Sequence, residues 1–458
     1  MLNEKFKARM KDILGTEYAD FISALETEDA VRGVRINTLK SSISDILADC
    51  PVELHPLSYS DDGFILRQGD GIGNTPEHHA GIFYVQDPGA MATANSLDIK
   101  EGWRVLDLCA SPGGKSGQAA AKIGDSGFIL SNEYIPKRAK TVVSNFERLG
   151  IRCGMVTSLD TAEFPKMFSA FFDLVIADAP CSGEGMFRKS DEALADWSED
   201  NIKLCAKRQE YILENASALV RAGGYLLYST CTYAPEENEM IITEFLKRHT
   251  DYSLTKVTDA LIEKTAPAIK FEDRFIENIE FARRFYPHRA EGEGQFIALI
   301  RRSEDIPEKP KILYKDSAKP LTKEEDGIVR DFFKKNLKSE PKGRAVKVGD
   351  GIVILSHDVP VPQKSVFSAG VLLGNIEKRI LFPHHQFFSA YGDLFIRQEH
   401  LCKGDARVEK YLRGEEIDAK DFTDSGYCSV IYRGASLGGG KASGGKIKNH
   451  YPKGLRKN

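Results

Sequence analysis

Two cysteines stand directly after apolar segments that are predicted to be buried β-strands. Cys181 follows Phe172–Ala177 in the run DAPCSG, and Cys231 follows Tyr225–Ser229 in the run STCT. A lone cysteine after a strand is usually a small core residue. Two cysteines at strand ends, each beside Pro, Ser, Thr or Gly, are not the pattern expected of buried core residues. If both strands belong to one parallel sheet, Asp178 and the two cysteines lie at the rim where such sheets bind ligands.

A glycine turn follows an earlier predicted strand, Trp103–Leu108, in the run CASPGGK. Glycines there let the backbone approach a ligand, and the next helix offers its N-terminal amides. The run is neither the dinucleotide fingerprint nor a phosphate loop. Glu133 follows the strand Gly127–Asn132, about 20 residues after the turn, where it can bind ribose hydroxyls. Asp160 follows Ile151–Val156 and can meet an adenine edge, so three loops on one sheet edge indicate a nucleoside cofactor.

The elements that must position these residues form an α/β domain. From Gly102 onward, apolar strands alternate with amphipathic helices, which is typical of a parallel sheet covered on both faces. The pattern predicts a long helix over Asn201–Arg221 that ends at Gly223 and Gly224, and one further strand at Gln295–Ile300.

The rest of the chain suggests separate parts. We expect an N-terminal extension over residues 1–95, the α/β domain over 96–302, a linker over 303–320 and a C-terminal accessory domain over 321–458. The linker is charged and contains prolines. The accessory part is predicted to be mixed or β-rich, with short strands, many glycines and no helix as regular as that of the α/β domain.

The net charge of −4 does not by itself indicate a nucleic-acid partner. The carboxyl end differs, because residues 433–458 contain seven basic residues and no acid: Arg433, Lys441, Lys446, Lys448, Lys453, Arg456 and Lys457. Such an asymmetry favours a polyanion partner, although a frayed, solvated tail would look the same.

Composition excludes other classes of protein. No run approaches about 18 consecutive apolar residues and the charged start lacks a signal region, so we expect a cytoplasmic protein that does not contact a membrane. None of the eight cysteines forms a Cys-x-x-Cys pair, and the His78-His79 and His384-His385 pairs lack the spacing of a helical metal site. We therefore expect no metal and no disulfide.

The sequence resembles the Nop/Sun family of RNA cytosine-C5 methyltransferases, most closely its bacterial RsmF-like branch. The matching runs are RINTLK (35–40), VQDP (85–88), CASPGGK (109–115), DAPCSG (178–183), YSTCT (228–232), PH (287–288), GQF (294–296) and KNHYPKGLR (448–456). The resemblance therefore spans the chain, and its two cysteine motifs are the most specific part.

The resemblance implies a Rossmann-like, S-adenosylmethionine-dependent methyltransferase fold with an N-terminal RNA-binding extension and a C-terminal RNA-binding, PUA-like domain. The loop that would hold the methionine and ribose of the cofactor consists of Cys109, Ala110, Ser111, Pro112, Gly113, Gly114 and Lys115. Glu133 would bind the ribose and Asp160 the adenine, with help from Arg138. Ser111 and Gln295 depart from the residues usual in the family, Ala and an aromatic residue respectively.

The resemblance also implies the reaction. Asp178 would lie between cofactor and target base, Cys231 would be the nucleophile and Cys181 would help to release the product. The chemistry needs these residue types, because a thiolate that adds to carbon 6 of cytosine makes carbon 5 nucleophilic. A buried carboxyl can supply the proton that ring nitrogen 3 gains, and the base must be unstacked to be reached.

Three alternatives differ in substrate or activity. Methylation of an exocyclic amine is disfavoured, because such enzymes carry Asn/Asp-Pro-Pro-aromatic where this chain has DAPC. A non-catalytic RNA-binding or ribosome-assembly protein on the same scaffold would bind the cofactor without methyl transfer. Transfer RNA could replace small-subunit (16S) ribosomal RNA, or the assembled subunit, as the target. We expect RNA as partner, no DNA, and a monomer.

Overall fold

The structure is a computed structural model that describes residues 2–27, 29–50, 52–66, 71–271 and 276–457. Within these residues the α-helices are α1 (Glu4–Leu14), α2 (Tyr18–Thr27), α3 (Ile43–Ala48), α4 (Pro76–His79), α5 (Pro88–Asn95), α6 (Gly114–Ile123), α7 (Pro136–Leu149), α8 (Phe164–Met167), α9 (Asp191–Asp196), α10 (Glu199–Ser217), α11 (Glu239–Arg248), α12 (Asp259–Lys264), α13 (Lys323–Asn336), α14 (His385–Tyr391) and α15 (Ala406–Leu412).

The strands of the first two parts are β1 (Arg32–Ile36), β2 (Leu54–Pro56), β3 (Gly63–Leu66), β4 (Phe83–Val85), β5 (Arg104–Asp107), β6 (Phe128–Asn132), β7 (Gly154–Thr157), β8 (Phe168–Ser169), β9 (Phe172–Asp178), β10 (Val220–Thr230), β11 (Tyr252–Leu254), β12 (Ala266–Pro267), β13 (Arg283–Phe285) and β14 (Gln295–Arg302). Those that follow are β15 (Lys311–Ile312), β16 (Lys319–Pro320), β17 (Arg344–Val348), β18 (Gly351–Leu355), β19 (Val366–Ala369), β20 (Val371–Glu377), β21 (Ile380–Pro383), β22 (Gln398–Leu401), β23 (Ile417–Asp418), β24 (Gly426–Tyr432), β25 (Ala435–Ser443) and β26 (Lys446–Asn449).

One large sheet carries the site. Among the described residues its order is β12-β13-β14-β10-β9-β5-β6-β7-β19, and β11 pairs with β14. The five strands β7, β6, β5, β9 and β10 run parallel, and β14 closes them antiparallel to β10. The strand order reverses between β5 and β9, which opens a crevice at their carboxyl ends. This topology confirms the predicted α/β fold class.

The predicted end of the long helix is wrong. The helix α10 ends at Ser217, and the chain is already extended at Val220, which pairs with Phe172 on β9. Gly223 has a φ of 71° and lies within an irregularity of β10 between Val220 and Tyr225. The glycines therefore serve a bulge inside a strand rather than a helix cap.

The C-terminal part contains a regular helix, which the sequence analysis does not predict. The helix α13 has 14 residues, and Thr322 and Glu325 form a capping box at its start. Two five-stranded sheets accompany it, β16-β17-β18-β20-β21 and β22-β24-β25-β26-β23. Much of the basic carboxyl end lies in the strands β25 and β26, so it is not a frayed tail; Asn458 lies outside the described residues.

This C-terminal part joins the large sheet directly. The strand β19 pairs antiparallel with β7, and β15, within the expected linker, pairs with β8. Leu355 and Val361 pack in the same apolar cluster as Leu106 and Phe168 of the α/β domain. The two parts therefore share a core, and the expected boundary at 303–320 remains a prediction.

Leu355→Ala should lower the free energy of unfolding by about 2–5 kcal/mol, because it opens a cavity in this shared core. Differential scanning calorimetry should show one transition that moves to lower temperature as a whole. Leu313→Ala is the control, since Leu313 is 52% exposed and its loss should change stability by less than about 0.5 kcal/mol. Two transitions, of which only one moves, would contradict the shared core.

Candidate active site

The two cysteines of the predicted site lie side by side. Their Sγ atoms are 3.3 Å apart. The reason is local: β9 and β10 are parallel neighbours in which Ser229 pairs with Asp178, so the loops that follow emerge next to each other. Both side chains are half-buried and line one cavity of about 1050 Å³.

The two thiols differ in their electrostatics. The hydrogen bond with Cys231, together with burial, raises the pKa of Cys181 well above its usual range. Cys181 therefore keeps its proton at neutral pH and can donate it to the Cys231 sulfur.

A charged pair lies beside the cysteines. Lys115 Nζ donates to Asp178 Oδ2 at 2.7 Å, and Ser229 Oγ donates to Asp178 Oδ1 at 2.6 Å. Burial lowers the pKa of Lys115, but the Asp178 carboxylate outweighs that effect and the net shift is upward. Lys115 thus follows the glycine turn in sequence, while its ammonium group binds the carboxylate of the neighbouring strand.

The glycine turn begins α6. Gly113 caps the helix with a φ of 107°, a conformation that favours glycine. A Cβ on Gly114 would lie 3.0 Å from the Tyr84 ring. Behind the turn, Asp107 accepts from Ser116 Oγ at 2.6 Å and from the Cys109 amide at 3.3 Å. Burial raises the pKa of Asp107 to about 7.

The opposite wall of the cavity carries the acids predicted for the cofactor. Glu133 is 5% exposed, accepts from the Ile135 amide at 3.0 Å and lies 3.5 Å from Arg138 Nη2. Asp160 is exposed and accepts from Tyr211 Oη at 2.8 Å. Glu133 is therefore a wall residue, whereas Asp160 lies at the rim.

One side chain joins the loops of this wall. The amide of Asn132, buried at the end of β6, donates to Leu108 O at 3.2 Å and to Leu159 O at 3.0 Å. Its carbonyl oxygen accepts from the Leu159 amide at 2.9 Å. Asn132 thereby fixes the loops after β5, β6 and β7 relative to one another.

The cavity brings together nearly all residues that the sequence singled out. Those that line it are Cys109, Ala110, Ser111, Pro112, Gly114, Lys115, Glu133, Arg138, Asp160, Asp178, Cys181 and Cys231. Gly113 supplies only the backbone turn. Sequence reasoning missed Asp107 and Asn132, although a carboxylate or amide at the end of an apolar strand was an available signal. In the described part of the chain, no group of three or more His, Cys, Asp or Glu could hold a metal ion.

Comparison with known proteins identifies the family. Residues 2–88 match the N-terminal domain of 16S rRNA methyltransferase RsmF, residues 94–301 match 16S rRNA methyltransferase RsmB/F, and residues 402–457 match the methyltransferase RsmF PUA domain. The ribosomal RNA small subunit methyltransferase F of Aeromonas salmonicida is 31% identical over 444 residues, which cover 93% of this chain and 90% of that protein. The chain belongs to the RsmF family.

Another relative and a solved structure support the assignment of this chain to the RsmF family. The ribosomal RNA small subunit methyltransferase F of Vibrio vulnificus is 29% identical over 470 residues, covering 99% of this chain and 97% of that protein. The crystal structure of a methyltransferase homolog from Pyrococcus horikoshii is 30% identical, with a TM-score of 0.58 over 66% of this chain and 95% of that one. The chain is an S-adenosylmethionine-dependent RNA methyltransferase, as the sequence predicted. Across its described helices, none has the length and apolarity needed to cross a bilayer.

The cavity fits S-adenosylmethionine. The first turn of α6 presents free backbone amides beside Gly113 and Gly114, which suits a carboxylate. The buried carboxylate of Glu133 can accept from hydroxyl groups. Both features lie at the switch point of the sheet, where nucleoside cofactors bind.

Glu133→Ala should weaken S-adenosylmethionine binding by roughly 1–3 kcal/mol, because it removes a buried partner of the ligand. Asp160→Ala should have a smaller effect, since Asp160 is exposed and already binds Tyr211. Calorimetric titration measures both. Glu163→Ala removes a nearby acid that pairs with Lys166 and should leave affinity unchanged. Full affinity in the Glu133 and Asp160 variants would place the cofactor elsewhere.

Proposed function

We propose that this RsmF-family protein methylates carbon 5 of a cytosine in 16S ribosomal RNA, with Cys231 as covalent nucleophile. The observation that carries the proposal is the pair of cysteine thiols 3.3 Å apart, of which Cys181 holds its proton. An amine methyltransferase needs no thiol. The relatives' names, ribosomal RNA small subunit methyltransferase F, support 16S RNA as the target.

The residues around the cavity divide by role. The loop Cys109–Lys115 and Glu133 would hold S-adenosylmethionine, with Arg138 and Asp160 at its rim. When bound, the cofactor supplies an electrophilic methyl group on a sulfonium, which carbon 5 takes up. The remaining wall, with Asp178 and the cysteines, is left for the flipped base.

Cys231 opens the reaction. Its thiolate adds to carbon 6 of the cytosine, which makes an S–C6 bond and breaks the conjugation of the ring. Ring nitrogen 3 gains a proton from the Lys115–Asp178 pair as this bond forms, and it returns that proton to the pair when carbon 5 takes up the methyl group. The Lys115 ammonium donates to Asp178 at 2.7 Å, and both side chains line the same cavity as Cys231.

Cys181 acts at the end. After methyl transfer, carbon 5 loses its proton to a base, the S–C6 bond breaks and the electron pair returns to the Cys231 sulfur. The protonated Cys181 thiol, 3.3 Å away, can donate to that departing thiolate. Its raised pKa keeps the proton available at neutral pH.

Cys231→Ser should abolish methyl transfer and form no covalent RNA adduct, because a hydroxyl is almost never ionised at neutral pH. Cys181→Ser should still attack and methylate, and then stall as a protein–RNA adduct visible on a denaturing gel. Combining the two substitutions should remove the adduct. Cys205→Ser, in the same domain but outside the cavity, is the control for loss of a thiol.

The reverse pattern, with the adduct only in Cys231→Ser, would exchange the roles of the two cysteines. Methylation without an adduct in any variant would refute covalent catalysis. A methylated exocyclic amine in the product would refute carbon 5 as the target.

The accessory domain presents a second, basic surface. Lys441 and Lys448 are exposed cross-strand partners on β25 and β26, and within the described chain neither lies within ion-pair distance of an acid. Like charges placed opposite each other are unfavourable unless an anion binds between them. Lys446 and Lys457 instead pair with Glu416 and Glu409. We propose that Lys441 and Lys448 bind RNA phosphates.

Lys441→Ala combined with Lys448→Ala should weaken RNA binding and flatten its salt dependence. For two phosphates of a single strand, the slope of log K against log salt should fall by roughly 1.4. Fluorescence anisotropy over a salt series measures this, with Lys446→Ala as the control for a paired lysine. An unchanged slope would mean that this surface does not contact the RNA backbone.

A further inference from the structure

Each of the two cysteine loops carries a buried glutamate that binds the other loop. Glu184 lies three residues after Cys181 in the chain. Its Oε2 accepts from Thr232 Oγ1 at 3.0 Å and from the Tyr233 amide at 2.9 Å. These donors are the two residues that follow Cys231, so Glu184 joins its own loop to that of the other cysteine.

The second glutamate makes the opposite connection. Glu237 follows Cys231 and accepts from the Ser182 amide at 3.0 Å and from Ser182 Oγ. Ser182 is the residue next to Cys181. Gln209 of α10 donates to Glu237 Oε2 at 2.7 Å and to Pro180 O at 3.0 Å, which ties the same loop to a long helix.

The two connections meet between the cysteines. Ser182 Oγ and Thr232 Oγ1 are 2.9 Å apart, and the Gly185 amide donates to Cys231 O at 2.9 Å. Trp197 Nε1 donates to Glu184 Oε1 at 2.8 Å. The result is one continuous set of hydrogen bonds that joins the two cysteine loops.

Burial of both acids is unfavourable on its own. Glu184 is 1% exposed and Glu237 is 0% exposed. Burial raises the pKa of Glu184, and it raises the pKa of Glu237 to about 7. A well-packed apolar pair would avoid this penalty. The acids therefore supply something that packing does not, namely directional bonds to named atoms of both loops.

We propose that Glu184 and Glu237 form a reciprocal clamp, in which each loop's carboxylate fixes the other loop and so sets the distance between the two sulfurs. They are positioning residues and touch neither base nor cofactor. The inference rests on the proposed function, because that separation matters for thiolate attack at carbon 6 and for proton return from Cys181.

The test uses the full-length protein with Glu184→Ala, Glu237→Ala and the conservative variants Glu184→Gln and Glu237→Gln. Steady-state methylation should show kcat lowered at least tenfold by each Ala variant, with KM for RNA and S-adenosylmethionine affinity within twofold of the parent. The Gln variants keep one acceptor oxygen for the other loop and should retain more of kcat than the Ala variants. They also remain informative if an Ala variant fails to fold.

A second readout does not depend on methylation. Phenylarsine oxide binds two thiols that are held close together, so its affinity reports the geometry of the pair. Affinity should fall at least tenfold in the Ala variants, measured against Cys231→Ser as the baseline. Glu399→Ala is the matched control, because Glu399 is equally buried but binds Arg407 and the Lys420 amide in the accessory domain.

Unchanged kcat and unchanged arsenical affinity in both Ala variants would overturn the clamp. An equal fall in Glu399→Ala would show a general loss of stability and would also overturn it. If no cysteine variant traps an adduct and methylation persists while the clamp variants still lose arsenical affinity, the covalent mechanism fails and the clamp stands.

Discussion

The parallel pairing of β9 with β10 is the contact on which the site depends. Neighbouring strands lie about 4.8 Å apart, so loops that leave them in register place their side chains within contact distance. Ser229 opposite Asp178 sets that register, and the Ser229 hydroxyl also binds the carboxylate. A shift of the register by one residue would turn the side chains to the other face of the sheet. The separation of the cysteines therefore begins in the backbone.

Sequence patterns predicted the features that are local in the chain. The six apolar segments became strands that overlap their expected bounds, and the loops after the five parallel strands meet at one cavity. The end of α10 was not predictable from Gly223, because the pairing of Val220 with Phe172 overrides a local capping signal. The helix α13 carries a capping signal at Thr322 that the sequence reading overlooked.

Contacts between residues that are far apart in the sequence were not predicted. Glu184 and Glu237 look like solvated loop acids in the chain, and only the fold shows that each contacts the other's loop. The pairing of Lys115 with Asp178 and the junctions made by Asn132 likewise join residues from different strands. Spacing along one chain does not encode such contacts.

The acids around the cavity reduce stability near neutral pH. Asp107 and Glu237 ordinarily ionise at 3.8 and 4.5, and burial raises the pKa of each to about 7. The folded protein holds these protons more tightly than the unfolded chain does. The contribution of these two groups to the free energy of unfolding is therefore most favourable at acidic pH, and it is lost as the pH rises through about 7. The buried carboxyls of Asp107 and Glu237 thus lower the stability of the fold at neutral pH, while their hydrogen bonds order the loops around the site.

The strand β19 gives the accessory domain a fixed place. Because β19 pairs with β7, and Leu437 and Ile447 of β25 and β26 pack in one apolar cluster with Val34 and Ile36 of β1, the exposed lysines stand at a set distance from the cysteines. The structure therefore holds the two surfaces at one fixed spacing. Under the proposed function, an RNA that contacts both surfaces must present its backbone and its target base at one spacing, so the shape of the RNA would help to select the nucleotide.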